Sequence, residues 1–150
     1  MDYLHKYNIN KGFTLLEVLV VLAIFAILFA VSDGVYINFK RANNLSITTN
    51  TIVEAVRYAS SNASSNRGDS KWGVKINNNE ILIFKGDSYE SRDTSFNESF
   101  KITGGIIVSG LSEVIFEKLS GATLSPGTII LSSYGEVENI NINEKGTITY

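Results

Sequence analysis

One hundred and fifty residues, 44% of them hydrophobic and with a formal net charge of −2, suffice for one apolar segment and one modest domain, not for two cores. The absence of cysteine removes a disulfide framework and any thiolate metal site. The single histidine, His5, precedes the apolar segment, so histidine-based catalysis and metal ligation are closed to everything after it.

The first element is a short polar leader, residues 1–12 (MDYLHKYNINKG), with Lys6 and Lys11 against Asp2. Positive residues before a membrane helix hold that end in the cytoplasm, which predicts the rest of the chain on the far side. Residues 13–31 follow as an apolar run with one charge, Glu17, and no Gly or Pro. At about 1.5 Å per residue the run spans roughly 28 Å, near the ~30 Å hydrocarbon core, so it predicts one transmembrane helix. A carboxylate near the centre of such a helix costs on the order of 2.5–3.5 kcal/mol, and less near an end. Glu17 therefore needs a functional reason and a partner. A secretory signal peptide competes with this reading, but the run is long and its end, Ala30-Val31-Ser32-Asp33-Gly34, fits an A-x-A cleavage site poorly.

Residues 32–66 predict an amphipathic helix. Val35, Phe39, Ala42, Leu45, Ile52, Val56, Ala59 and Ala63 recur at three- and four-residue steps, with a gap around Thr49. Gly34 predicts a weak point, and the Asn- and Thr-rich stretch 43–51 predicts a break. Residues 60–69 (SSNASSNRGD) end the helix in small polar residues. The period then shortens. Strands are expected at 72–76, 81–85, 100–102, 106–108, 114–119, 128–132, 139–143 and 147–150, with 86–97 as a polar loop. In ENININ, Ile140 and Ile142 alternate with polar residues, as in a strand with one wet face. The fold class is α+β, a long N-terminal helix with an antiparallel β head at 67–150.

The stretch Lys11-Gly12-Phe13-Thr14-Leu15-Leu16-Glu17-Val18-Leu19 resembles the class III signal of type IV pilins and type II secretion pseudopilins in both order and spacing. The resemblance implies that prepilin peptidase removes residues 1–12 by cutting after Gly12. Phe13 then becomes the N-methylated N-terminus, and Glu17 neutralises the N-terminal amine of a neighbouring subunit. The physics of these positions agrees. Gly12 admits an extended backbone to a narrow protease cleft. The cut creates an amine, and a carboxylate–ammonium pair attracts strongly at low dielectric. A plain anchor, in which Glu17 snorkels or is protonated, is the competing reading. Further on, Ala55-Val56-Arg57-Tyr58-Ala59, Trp72-Gly73-Val74 and the closing Gly-x-Ile-x-Tyr resemble the H-type (GspH) pseudopilin and FimT-like minor pilin group.

Other motifs are weaker. Arg67-Gly68-Asp69 sits in a turn-prone stretch and reads as a solvated loop rather than an integrin ligand. Asn44, Asn62 and Asn97 open glycosylation-like triplets that an Asn/Ser-rich chain produces by chance. Asp87 and Asp93 are too sparse for the six to eight oxygens of a calcium site. Gly68, Gly73, Gly104, Gly105 and Gly110 form neither a phosphate loop nor a dinucleotide fingerprint. Trp72 reads as core. No cofactor and no metal are implied, and nothing reads as an enzyme.

The expectation is a structural pilin or pseudopilin subunit. Its expected partners are prepilin peptidase, other subunits, an inner-membrane assembly platform and, before assembly, the lipid bilayer. The alternative is a DNA-binding minor pilin of a DNA-uptake pilus. Loss of Asp2, Lys6 and Lys11 with the leader leaves 11 basic and 14 acidic side chains from the 13 and 15 of the whole chain, which does not favour nucleic acid. A third reading is a membrane-anchored domain that does not assemble.

Overall fold

A single helix, α1 (Leu15–Ser64), precedes eight strands in the computed structural model, which describes residues 12–102 and 104–150. Side chains at 31–39, 41 and 42 fall outside that description. The chain divides into two compact units, Met1–Asn38 and Phe39–Tyr150.

In the first unit, every side chain from 12 to 30 is exposed. Among the described residues, no helix is long and apolar enough to cross a membrane.

In the second unit α1 supplies one wall of the core. Leu45, Ile52, Val53, Ala55, Val56, Ala59 and Ala63 are buried, and the gap in the apolar spacing is filled by buried Thr48 and Thr49. Packing on that stripe outweighs the low propensity of 43–51, so the expected break there does not occur. Helix also continues through the weak point expected at Gly34, one glycine costing only about 1 kcal/mol. The helix closes on Asn66, whose φ of 54° is left-handed. The Asn66 N–H donates to the Ala63 carbonyl at 3.0 Å and the Arg67 N–H to the Asn62 carbonyl at 2.9 Å. Those two bonds form a Schellman cap, with asparagine in the place glycine usually takes.

The strands are β1 (Trp72–Ile76), β2 (Glu80–Lys85), β3 (Asp93–Lys101), β4 (Ile107–Gly110), β5 (Glu113–Phe116), β6 (Gly127–Ser133), β7 (Glu136–Ile142) and β8 (Ile148–Thr149). They form two four-stranded sheets, ordered β3-β2-β1-β5 and β4-β6-β7-β8, with every pairing antiparallel. The fold is α+β. The largest shift is at β3: the polar loop after β2 ends at residue 92, and the strand takes up 93–99 as well as the expected 100–101, while β7 starts at 136 rather than 139 and β5 ends at 116 rather than 119. Strand β3 lies at a sheet edge with most residues exposed, so it carries no apolar run to announce it.

Trp72 anchors the core at 1% exposure, edge-on to Tyr58 (ring centroids 6.5 Å apart) and to Phe96 (6.0 Å). Its indole N–H donates to the Arg67 carbonyl at 2.9 Å. Next to it Gly73 faces Phe84 across the β1–β2 pair. A Cβ on Gly73 would lie 2.5 Å from the Phe84 ring and 2.9 Å from the Val114 carbonyl oxygen, so only glycine fits.

Candidate processing and assembly site

Residues 12–14 are exposed and non-helical, and α1 begins directly after them. Thr14 sets that start. The Glu17 N–H donates to Thr14 Oγ1 at 3.2 Å and to the Thr14 carbonyl at 3.1 Å; the Val18 N–H reaches the same carbonyl at 3.2 Å. Thr14 is thus the N-cap and Glu17 the third helical residue, the Thr-x-x-Glu spacing of a capping box. A carboxylate in the first turn also faces the positive end of the helix dipole, which lowers the cost of keeping it there.

Phe13 and Glu17 stand four positions apart, and the two line one shallow depression of about 300 Å³ with Val18, Val21, Leu22 and Phe25. A Cβ on Gly12 would meet nothing within 4 Å beyond its chain neighbours, so no other part of the described chain crowds that position. The structure therefore brings Gly12, Phe13 and Glu17 into one exposed stretch, with the carboxylate on an apolar face. Lys6 and Lys11 lie outside the described residues. The residue that sequence reasoning missed is Thr14, and its signal was legible as a threonine three positions before a glutamate.

The remaining candidates resolve into ordinary structure. Arg67 is held through Nη1 on the Tyr58 hydroxyl at 2.8 Å, and Tyr58 in turn donates to Glu98 Oε1 at 3.2 Å. Asp69 accepts from Lys118 Nζ at 3.1 Å, a bond that holds its carboxyl below the usual range, helped by the Asn66 side chain. Both charged members of the Arg-Gly-Asp triplet are thus tied to their own chain. Asp87 lies 3.8 Å from Lys71 Nζ, and Asp93 lies 3.8 Å from Lys85 Nζ. Lys71 pairs more closely with Glu117, at 2.7 Å, and that hydrogen bond raises its pKa. Among the described residues, no three His, Asp or Glu side chains gather as a metal site would need.

Residues 7–32 match the prokaryotic N-terminal methylation motif. The fold is similar to that of the minor pseudopilin EpsH from the type 2 secretion system of Vibrio cholerae. The TM-score is 0.54 at 14% identity, covering 71% of this chain and 94% of that one. A search of curated proteins gives no match. Motif and fold coincide. The chain carries the methylation motif ahead of a fold similar to that of a minor pseudopilin. In this pilin-like chain the matched motif ends within α1, so the cap at Thr14 and the carboxylate of Glu17 both fall inside it.

Proposed function

We propose that the chain is a structural subunit of a type II secretion pseudopilus or a type IV pilus, of the H-type or FimT-like minor kind. Prepilin peptidase cuts after Gly12 and frees residues 1–12. Phe13 becomes the methylated N-terminus. Residues 13–31 hold the precursor in the inner membrane, with Lys6 and Lys11 keeping the leader in the cytoplasm and the head outside. The assembly platform then moves the subunit into a filament, where the same helix lies among its neighbours and Glu17 pairs with an adjacent Phe13 amine. Residues 32–66 serve as the amphipathic half of the helix, with 67–150 as the head.

One observation carries this reading. Residues 15–30 are almost wholly apolar, yet large side chains all around the helix stay exposed, among them Leu15 at 85% and Phe29 at 74%. Their cover must come from outside the chain, from lipid first and from sister helices later. The DNA-binding reading finds no comparable support. Lys71, Lys75, Lys85 and Lys118 each sit against a carboxylate, which neutralises charges that phosphates would need.

Glu17→Val tests the proposal. Membrane insertion and cleavage after Gly12 should persist while incorporation into filaments is lost. Normal assembly of that variant would sink the role given to Glu17.

A further inference from the structure

Strand β3 closes one edge of the first sheet, and among the described residues it pairs on one side only, with β2. The register shift between Ile83 and Lys85 leaves residues 94–97 without partners on β2, and a bulge of that kind blunts an edge. Residues 98–101 stay regular: Glu98 faces Ile83, Ser99 faces Leu82, Phe100 faces Ile81 and Lys101 faces Glu80. The Ile102 N–H donates to the Asn79 carbonyl at 2.9 Å, which continues the same register by one step. Hydrogen-bonded and non-hydrogen-bonded pairs alternate along an antiparallel ladder. Glu98, Phe100 and Ile102 therefore turn their backbone groups to β2, whereas Ser99 and Lys101 turn theirs to the open edge.

Side chains alternate as well. Glu98 and Phe100 stand on the same face as Ile83 and Ile81, which are buried in the core with the stripe of α1. On that face the edge of the sheet and the flank of α1 enclose a cleft of about 170 Å³. That is room for about six waters at ~30 Å³ each, or for one long side chain. Buried Ala55 and Ile83 make its floor, Glu54 and Tyr58 one wall, and Glu98 and Phe100 the other. The Tyr58 hydroxyl donates to Glu98 Oε1 at 3.2 Å and ties the walls together. Glu54 and Glu98 are both exposed. Among the described residues neither forms an ion pair, unlike the carboxylates that hold Lys71, Lys75, Lys85 and Lys118.

Together the edge and the cleft select one kind of occupant. The outward donors and acceptors of Ser99 and Lys101 match another polypeptide backbone at strand spacing, as in β-strand addition. A strand laid there sets its side chains opposite Glu98 and Phe100 at non-hydrogen-bonded positions, where cross-strand neighbours stand closest. Those side chains lie over the cleft. Its apolar floor calls for an aliphatic stem, and Glu54 and Glu98 call for a positive end, with the Tyr58 and Phe100 rings beside it. Lysine and arginine carry both.

We propose that the edge at residues 99–101 receives an extended segment of a partner protein, whose lysine or arginine enters the cleft between Glu54 and Glu98. The inference rests on the head unit alone and is independent of the membrane and filament reading.

The probes are acetylated, amidated heptapeptides Thr-Val-Thr-Xaa-Thr-Val-Thr, with Xaa as Lys, Arg, Gln or Glu, added to the full chain in detergent micelles. The Lys and Arg peptides should bind several-fold more tightly than the Gln peptide, and the Glu peptide most weakly. Amide exchange should slow at Ser99 and Lys101 on binding. Glu54→Lys leaves the Tyr58–Glu98 bond in place and should weaken the Lys and Arg peptides several-fold. Ser99→Pro removes an outward N–H and no bond to β2, so it should abolish binding with thermal unfolding unchanged. Methylating the backbone nitrogens of the two central threonines tests the same bonds without altering the protein, and should also abolish binding. No binding by any peptide at millimolar concentration, or affinity that ignores Xaa, overturns the proposal. Butylammonium binding as tightly as the Lys peptide overturns it by removing the need for a strand. Protection of Ser99 by a second copy of the chain, without peptide, overturns it by assigning the edge to self-association.

Discussion

The Glu17 N–H donates to Thr14 Oγ1 at 3.2 Å, so the side chain that starts the helix is held by the backbone of the residue whose carboxylate assembly would use. The start of α1 and the placement of Glu17 are one feature. Moving the cap by one residue would turn Glu17 by about 100° relative to the first helical residue, away from the face it shares with Phe13.

Replacing Thr14 by valine keeps the shape and removes the cap oxygen. The first turn should lose about 1 kcal/mol and fray, while Thr14→Ser keeps the bond. Amide exchange at Glu17 and Val18 in the micelle-bound mature chain reads this directly. Unchanged exchange in Thr14→Val would show that the cap contributes nothing.

Trp72→Ala should destabilise the head by about 3–5 kcal/mol, lowering Tm by roughly 10–20 °C. The indole leaves a void between Tyr58 and Phe96 and deprives the Arg67 carbonyl of its donor. Phe96→Ala removes a ring that is already 37% exposed and should cost clearly less. Thermal unfolding of the two variants side by side gives the comparison.

Two surface pairs respond to pH with opposite sign. The Asp69 pKa is lowered by its bond to Lys118, so whatever stability it adds is present above the ordinary carboxylate pKa of about 3.9 and lost as pH falls through the lower folded value. The Lys71 pKa is raised by Glu117, so its contribution is present below about 10.4 and lost as pH rises through the higher folded value. NMR titration should show the backbone around Asp69 loosening only in strong acid. Asp69→Asn should abolish that response.

The legible parts of the fold were those where one face is dry. The helix stripe from Leu45 to Ala63 and the strand opening at Trp72 follow directly from apolar spacing. Ile140 and Ile142 are buried between exposed Asn139 and Asn141, as their alternation predicts. What escaped were features set by hydrogen bonds or by exposure. Thr48 and Thr49 are buried in the apolar stripe, where a hydropathy pattern shows only a gap. Asn66 closes the helix through φ and two backbone bonds. Most of β3 is wet on both faces and is held as a strand by pairing with β2, with a register shift between Ile83 and Lys85. At the candidate site, Gly12, Phe13 and Glu17 were readable from their order, whereas Thr14 required thinking about the backbone donors of a helix start.

The central claim is that a cut after Gly12 creates the amine that Glu17 is placed to meet. Mass spectrometry of the mature N-terminus, on chain recovered from cells expressing prepilin peptidase, tests it most directly. The account predicts a chain beginning with methylated Phe13 and lacking residues 1–12. An intact Met1, or a cut at the end of the apolar run, would contradict it.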